Sequence, residues 1–292
     1  IGVIMVEDNN LIQAEGFFPS ENRWLFYRRF YTNAPKKGDI LAIHGAFEHS
    51  GRYETLGSQM AKAGYHFYML DLSGHGRSGG VRGYINKFED YLMDIANFYS
   101  FLKVYRHIDV PFLFGHSLGG LIATMFCAWG RCSVKSLILS GPFFILKQKV
   151  SYSKKLFIKF FGMITKSWEL PNLINAQDLC HDMEVVEEYL TDPLVLHKVN
   201  ISWLAQIFKI LPKVPVAASK IEIPTLIFHG ENDNICDVEG SKLFFQMIPA
   251  KRKDLYLVRD AYHEVFNEPS RGELQDKLLE WLNSFSKETN QS

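Results

Sequence analysis

Short apolar runs and longer amphipathic segments alternate along most of this chain. Strands are predicted where apolar, β-branched and aromatic residues cluster over a few positions. The predicted strands cover residues 23–32, 39–43, 65–71, 110–114, 134–140, 224–229 and 254–258. Helical spacing of apolar residues predicts helices over residues 53–62, 88–105, 121–129, 238–247 and 271–285. Strands that alternate with helices form mostly parallel sheets covered on both faces, and such sheets bind ligands at the carboxyl ends of their strands.

The alternation stops between Pro142 and Val214, where helix-like segments are separated by prolines. We predict that residues 142–214 form a helical cap, inserted into a core made of residues 1–141 and 215–292. The first part of this cap, residues 143–168, contains six lysines and no acidic residue, interleaved with apolar residues at helical spacing. Two interpretations remain open: a helix packed on the core with a solvated basic side, or an amphipathic helix that contacts a membrane or micelle.

The charge balance argues against a nucleic-acid partner, because the chain of 292 residues has 32 basic and 32 acidic residues. The four cysteines show no metal-binding spacing and are typical of reduced thiols in a cytosolic protein. No apolar run reaches the roughly 18 residues that a membrane span needs. We therefore expect a cytoplasmic protein, peripheral to a membrane at most.

The segment Gly115-His116-Ser117-Leu118-Gly119 lies between a predicted strand and a predicted helix. A nucleophile elbow needs this strand-turn-helix context, with small residues two positions before and after the serine. The turn raises the Ser117 hydroxyl above the sheet and directs the Leu118 N–H toward a developing oxyanion. The pattern predicts a serine nucleophile at Ser117.

A serine nucleophile needs a histidine base and a carboxylate that orients it, in the chain order serine, acid, histidine. Asp233 and His263 each follow a predicted strand, on the loops where the Ser117 end of the sheet lies. Rival acids are Glu231, Asp237 and Asp260. We predict Asp233 and His263 as the partners of Ser117.

A second oxyanion donor is predicted after the strand that ends near His44. His44-Gly45-Ala46 is similar to the His-Gly loop that supplies such a backbone N–H, and the donor here would be that of Ala46. The side chain of His44 is expected to brace this loop. Because two backbone donors would stabilise the oxyanion, we expect no metal and no cofactor.

Several blocks together resemble the monoacylglycerol lipase and lysophospholipase branch of the α/β-hydrolase superfamily. They are HGA at 44–46, EHSGRY at 48–53, DLSGHGRS at 71–78, RGYI at 82–85, GHSLGG at 115–120, Asp233 and His263. The resemblance covers roughly residues 23 to 285. It implies an α/β-hydrolase fold with Ser117 as nucleophile, Asp233 and His263 as its partners, and Ala46 and Leu118 as oxyanion donors. Phe47 departs from this branch, which usually has a small residue there.

The expected function is hydrolysis of a carboxylic ester in a single-chain lipid, a monoacylglycerol or a lysophospholipid. Glu48, His49 and Arg52 are candidates for contacts with the polar head, and the alternative is a salt-bridged loop. The same catalytic groups also serve carboxylesterases, thioesterases and serine aminopeptidases. A non-enzymatic binding module on this fold is a further alternative. The expected partner is a lipid ester substrate, with peripheral membrane or micelle contact through the cap.

Overall fold

A computed structural model describes residues 6–8, 11–165, 168–172 and 174–288. In chain order, its strands are β1 Val6–Asp8, β2 Leu11–Ser20, β3 Arg23–Thr32, β4 Gly38–Ile43, β5 Tyr65–Leu70, β6 Phe112–His116, β7 Ser136–Ser140, β8 Glu169–Pro171, β9 Lys198–Asn200, β10 Thr225–Gly230 and β11 Lys253–Val258. Its helices are α1 Glu54–Lys62, α2 Glu89–Arg106, α3 Leu118–Trp129, α4 Tyr152–Ile164, α5 Met183–Thr191, α6 Ile201–Ile210, α7 Val214–Ala218, α8 Val238–Met247 and α9 Arg271–Glu288.

The main sheet has the strand order β1-β2-β3-β5-β4-β6-β7-β10-β11. Strands from β5 through β11 in this order pair in parallel, whereas β1, β2 and β3 pair antiparallel and β3 joins β5 antiparallel. The mostly parallel sheet expected from the sequence is therefore confirmed. The parallel strands end on one side of the sheet, where the loops that carry Ser117, Asp233 and His263 begin.

Strand β2 was not predicted, although it pairs with β3 over ten positions from Leu11↔Thr32 to Ser20↔Arg23. Its sequence contains Gly16 and Pro19, and both residues weaken a strand pattern. The long register with β3 supplies the hydrogen bonds that local propensity does not. A Cβ atom on Gly16 would lie 3.0 Å from the Tyr27 ring, so the glycine leaves room for that ring.

Helices cover both faces of the sheet. Alternate residues along each central strand point to opposite faces, as in β4, where Leu41 and Ile43 join one buried cluster and Ile40 and Ala42 join the other. The first cluster includes side chains of α2, α3 and α8, and the second includes side chains of α1 and α9. The two-sided arrangement explains why the central strands are continuous apolar runs.

The described residues between β7 and β10 form α4 to α7 and a short antiparallel pair, β8 with β9. This pair was not expected in a cap predicted to be helical. Helix α4 packs closely on α6, because Gly162 has no side chain: a Cβ there would lie 2.6 Å from the Cβ of Ala205. Among the described helices, none is long and apolar enough to cross a membrane.

Candidate active site

Ser117 occupies the sharp turn between β6 and α3 with φ 51° and ψ −116°. A left-handed backbone at a residue other than glycine costs on the order of 1–3 kcal/mol and often marks a functional site. A Cβ on Gly115 would collide with the backbone of Gly119, and one on Gly119 would collide with the carbonyl of Ile43. The strand-turn-helix context predicted for residues 115–119 is confirmed, and both glycines are required by close backbone approach.

Two backbone N–H groups beside Ser117 are available to an oxyanion. Within the described part of the chain, neither the Ala46 nor the Leu118 N–H donates to a protein acceptor. Leu118 begins α3, so its N–H also lies at the positive end of the helix dipole. Gly45 lies against the serine, since a Cβ built on it would be 3.2 Å from Ser117 Cβ. This arrangement brings the loop after β4 next to the elbow.

Asp233 and His263 form a buried pair on the loops after β10 and β11. His263 Nδ1 lies 2.7 Å from Asp233 Oδ2, so this nitrogen donates and Nε2 remains as the acceptor for a serine proton. Asp233 Oδ1 accepts the backbone N–H groups of Ile235 and Cys236, each over 2.8 Å. No hydrogen bond joins Ser117 Oγ directly to His263 among the described contacts. Such bonds often tighten only when substrate binds.

The rival acids lie elsewhere. Asp237 accepts the Glu239 N–H as the N-cap of α8, and the side chain of Asp260 is largely exposed beside Arg259. Glu231 is also exposed. Of the four candidate acids, the structure brings Asp233 to the histidine.

The electrostatics of the pair suit a histidine base. Burial by itself lowers the pKa of His263, but the charge and hydrogen bond of Asp233 outweigh it and raise the pKa above its ordinary value. Burial by itself raises the pKa of Asp233, but His263 and His229 outweigh it and hold that pKa far below its ordinary value. Asp233 is therefore anionic, and it would stabilise an imidazolium formed if His263 took a proton.

Comparison with known proteins agrees with the geometry of the site. The sequence profile of the family described as "Serine aminopeptidase, S33" matches residues 34–270. The chain belongs to this serine aminopeptidase S33 family. It is 30% identical over 260 residues to the monoacylglycerol lipase of Mycolicibacterium smegmatis, with 88% of this chain and 92% of the relative covered. It is also 30% identical over 235 residues to phospholipase YtpA of Bacillus subtilis, with 80% of this chain and 90% of the relative covered.

A solved structure of similar fold is the monoacylglycerol lipase of Paleococcus ferrophilus. It matches with a TM-score of 0.82 at 31% identity, over 89% of this chain and 98% of that chain. The α/β-hydrolase fold and the resemblance to monoacylglycerol lipases, both expected from the sequence, are confirmed.

In this S33-family protein, Glu48 and Arg52 bind each other rather than facing open space. Arg52 Nη1 lies 3.1 Å from Glu48 Oε2, and both side chains are buried. His49 Nε2 lies 2.7 Å from Asp192 Oδ2, at the end of α5. These contacts match the salt-bridged loop, the alternative to head-group contacts, and they link the loop after β4 to the segment between β7 and β10.

The sequence analysis did not single out His229, which the structure places beside Asp233. Its Nδ1 lies 2.7 Å from Ser241 Oγ, and its Nε2 lies 3.2 Å from both Cys236 O and Asp233 Oδ2. Both partners of Nε2 are acceptors, so this nitrogen carries a proton and donates to Asp233 Oδ2, the same oxygen that accepts from His263 Nδ1. The i,i+4 spacing between His229 and Asp233 was the available signal, but it has this meaning only at the end of a strand.

Cys236 completes the surroundings of the pair. Its thiol, buried beside Asp233, lies within hydrogen-bonding range of the Ser117 hydroxyl, and burial raises its pKa well above the ordinary value. Asp233, Cys236 and His263 offer the one cluster of potential metal ligands in the described residues, with ligand atoms within 4.8 Å of one another. Asp233 and His263 are already bonded to each other and the thiol holds its proton, so the chemistry of the set favours acid-base catalysis over metal binding.

Proposed function

We propose that this protein hydrolyses the carboxylic ester of a single-chain lipid, a monoacylglycerol or a lysophospholipid, through an acyl-enzyme on Ser117. The observation that carries the proposal is the strained Ser117 elbow between two unused backbone donors, beside a buried Asp233–His263 pair. The choice of lipid rests on two relatives, which are named a monoacylglycerol lipase and a phospholipase.

In the proposed reaction, Ser117 Oγ attacks the ester carbonyl while His263 Nε2 takes its proton. The Ala46 and Leu118 N–H groups stabilise the oxyanion, and His263 then protonates the departing alcohol. Water, activated by the same histidine, attacks the acyl-enzyme and releases the fatty acid. Asp233 keeps the imidazole in the tautomer that these steps need.

An aminopeptidase activity is the alternative raised by the family description. An aminopeptidase has to bind the protonated amino group of its substrate, for which an unpaired carboxylate near the nucleophile is suited. The two buried glutamates closest in chain position to the oxyanion loop and the histidine, Glu48 and Glu264, both pair with Arg52. This pairing favours an uncharged ester substrate.

We further propose that residues 142–214 act as a cap whose helix α4 contacts the surface of a membrane or micelle. Leu156, Phe160 and Ile164, spaced at four residues, are 56%, 53% and 66% exposed. Lys154, Lys155 and Lys159 are exposed on the same helix. Of the two interpretations left open by the sequence, an apolar face turned to solvent and flanked by lysines supports the interfacial one.

The test of the reaction is labelling with a fluorophosphonate probe, followed by a panel of substrates of equal acyl length. The panel contains a monoacylglycerol, a lysophospholipid, a thioester and an aminoacyl amide. We expect Ser117 to be labelled and the lipid esters to be hydrolysed at the highest kcat/KM, with Ser117→Ala inactive in both assays and folded by circular dichroism. Wild-type protein that is folded but not labelled would support a binding module, and a preference for the amide would support an aminopeptidase.

A further inference from the structure

Arg52 lies at the junction of three parts of the site that are distant in sequence. Its Nη1 and Nη2 donate to Glu264 Oε1 and Oε2 over 2.5 and 2.9 Å, and Nη1 also donates to Glu48 Oε2. Its guanidinium carbon lies 4.8 Å from the ring centre of Tyr189, on α5. Only 7% of its side chain is exposed.

Glu48 connects Arg52 to the oxyanion loop. Its Oε1 accepts the Gly45 N–H over 2.5 Å and the Tyr53 hydroxyl over 2.7 Å. Gly45 directly precedes Ala46, the proposed oxyanion donor, and lies against Ser117. The orientation of the Ala46 N–H therefore depends on a loop that is fixed by the hydrogen bond from Gly45 to Glu48.

On the other side, Glu264 directly follows His263. Both of its carboxylate oxygens bind Arg52, its Oε2 also accepts from Asn267 Nδ2 over 2.8 Å, and its N–H donates to Leu179 O over 2.7 Å. The residue next to the proposed base is therefore fixed on both its backbone and its side chain. A planar guanidinium can satisfy two carboxylates at defined angles, which an ammonium cannot.

We propose that Arg52 is a positioning residue that sets the distance between the oxyanion loop and the His263 loop. The inference rests on the proposed function, since it assigns Arg52 a part in forming the site for that reaction. Arg52 reaches the reaction only through Glu48 and Glu264, so it should affect the transition state more than the binding of substrate.

The charges of Arg52, Glu48 and Glu264 also predict a pH dependence. One guanidinium serves two buried carboxylates, and burial raises the pKa of Glu48, whereas Arg52 overcomes the effect of burial on Glu264 and holds its pKa at about 2. Without Arg52, the two carboxylates repel each other when both are ionised. Relative to wild type at the same pH, an uncharged replacement should therefore lose most activity at high pH and less as the pH falls and one glutamate is protonated.

The test compares Arg52→Gln and Arg52→Lys with Arg23→Gln, which removes a part-buried arginine from the fully buried Asp94. Misplacement of catalytic groups by about 1 Å can cost about 10²-fold in rate. We expect Arg52→Gln to lower kcat by about this factor with little change in KM. It should weaken the binding of a boronic acid inhibitor by the same factor, because this inhibitor forms a tetrahedral adduct. A non-hydrolysable ether analogue of the substrate should bind as it does to wild type. Arg52→Lys should be intermediate, and Arg23→Gln should lose stability only.

Outcomes that overturn the proposal are distinct from those that overturn the reaction. If wild type is active and Arg52→Gln loses thermal stability with unchanged kcat, boronate affinity and pH profile, then Arg52 is only structural. If Arg52→Gln does not fold, an unchanged kcat and boronate affinity in the charged Arg52→Lys variant leads to the same conclusion. An inactive wild type that a fluorophosphonate does not label contradicts the proposed function itself.

Discussion

His44 Nδ1 lies 2.7 Å from the carbonyl oxygen of Gly45, which belongs to the same peptide unit as the Ala46 N–H. His44 Nε2 accepts the Leu72 N–H over 2.9 Å, so the proton is on Nδ1 and this nitrogen donates to the carbonyl. Burial lowers the pKa of His44, which keeps the ring neutral and the tautomer constant. The side chain therefore orients the peptide that would stabilise the oxyanion.

His44→Ala should lower kcat of ester hydrolysis by about 10- to 10²-fold, because removing one oxyanion donor outright costs about 10²–10³-fold. His44→Asn should recover part of the loss, since its amide can donate to the same carbonyl. The measurement is kcat and KM for a soluble short-chain ester. His66→Ala, a partly exposed histidine of β5, serves as the matched control, and an equal loss of kcat in that variant would contradict the assignment.

The pairing of Asp233 with His263 predicts a pH dependence with a definite sign. The base is active when neutral, and its pKa is raised, so kcat/KM should fall as the pH drops through a value above the ordinary one for histidine. Asp233→Asn removes the charge that raises this pKa and leaves the burial that lowers it. The acid limb should therefore move to lower pH while the rate falls by up to about 10⁴-fold.

Asp237→Asn and Asp260→Asn are the controls for this experiment, since neither carboxylate contacts His263. Both variants should keep the wild-type pH profile. A larger loss of rate in either of them than in Asp233→Asn would show that the wrong acid has been assigned.

Helix α4 should bind anionic vesicles in a salt-dependent manner. Each lysine near an anionic surface contributes about 1 kcal/mol, so replacing Lys154, Lys155 and Lys159 with glutamine should weaken binding by about 10²-fold at low salt. Wild type should be released near molar salt, because the attraction is screened. Hydrolysis of a soluble ester should not change.

The control variant for vesicle binding carries glutamine in place of Lys62, Lys220 and Lys251, which are exposed outside α4. This variant has the same net charge as the α4 variant and should bind like wild type. Equal weakening in both variants would mean that net charge, and not α4, drives the contact.

The sequence predicted the elbow well because its requirements are local. Gly115, Ser117 and Gly119 lie within five consecutive positions, and the apolar runs around them report strand and helix directly. Strand β2 was missed because Gly16 and Pro19 contradict a local strand pattern, and only pairing with β3 stabilises it. The spacing of Leu156, Phe160 and Ile164 indicated a helical face, but a packed face and an exposed face have the same period.

By itself, the sequence determined the parallel sheet, the elbow and the order in which serine, acid and histidine follow along the chain. Only the tertiary structure decided that Asp233 and not Asp237 meets His263. It also decided that Arg52 bridges Glu48 to Glu264, which lies 212 residues after Arg52. The physical reason is that local patterns report backbone conformation. Contacts at the edge of the sheet depend on how loops from distant strands converge, and these contacts also fix which charges are buried together.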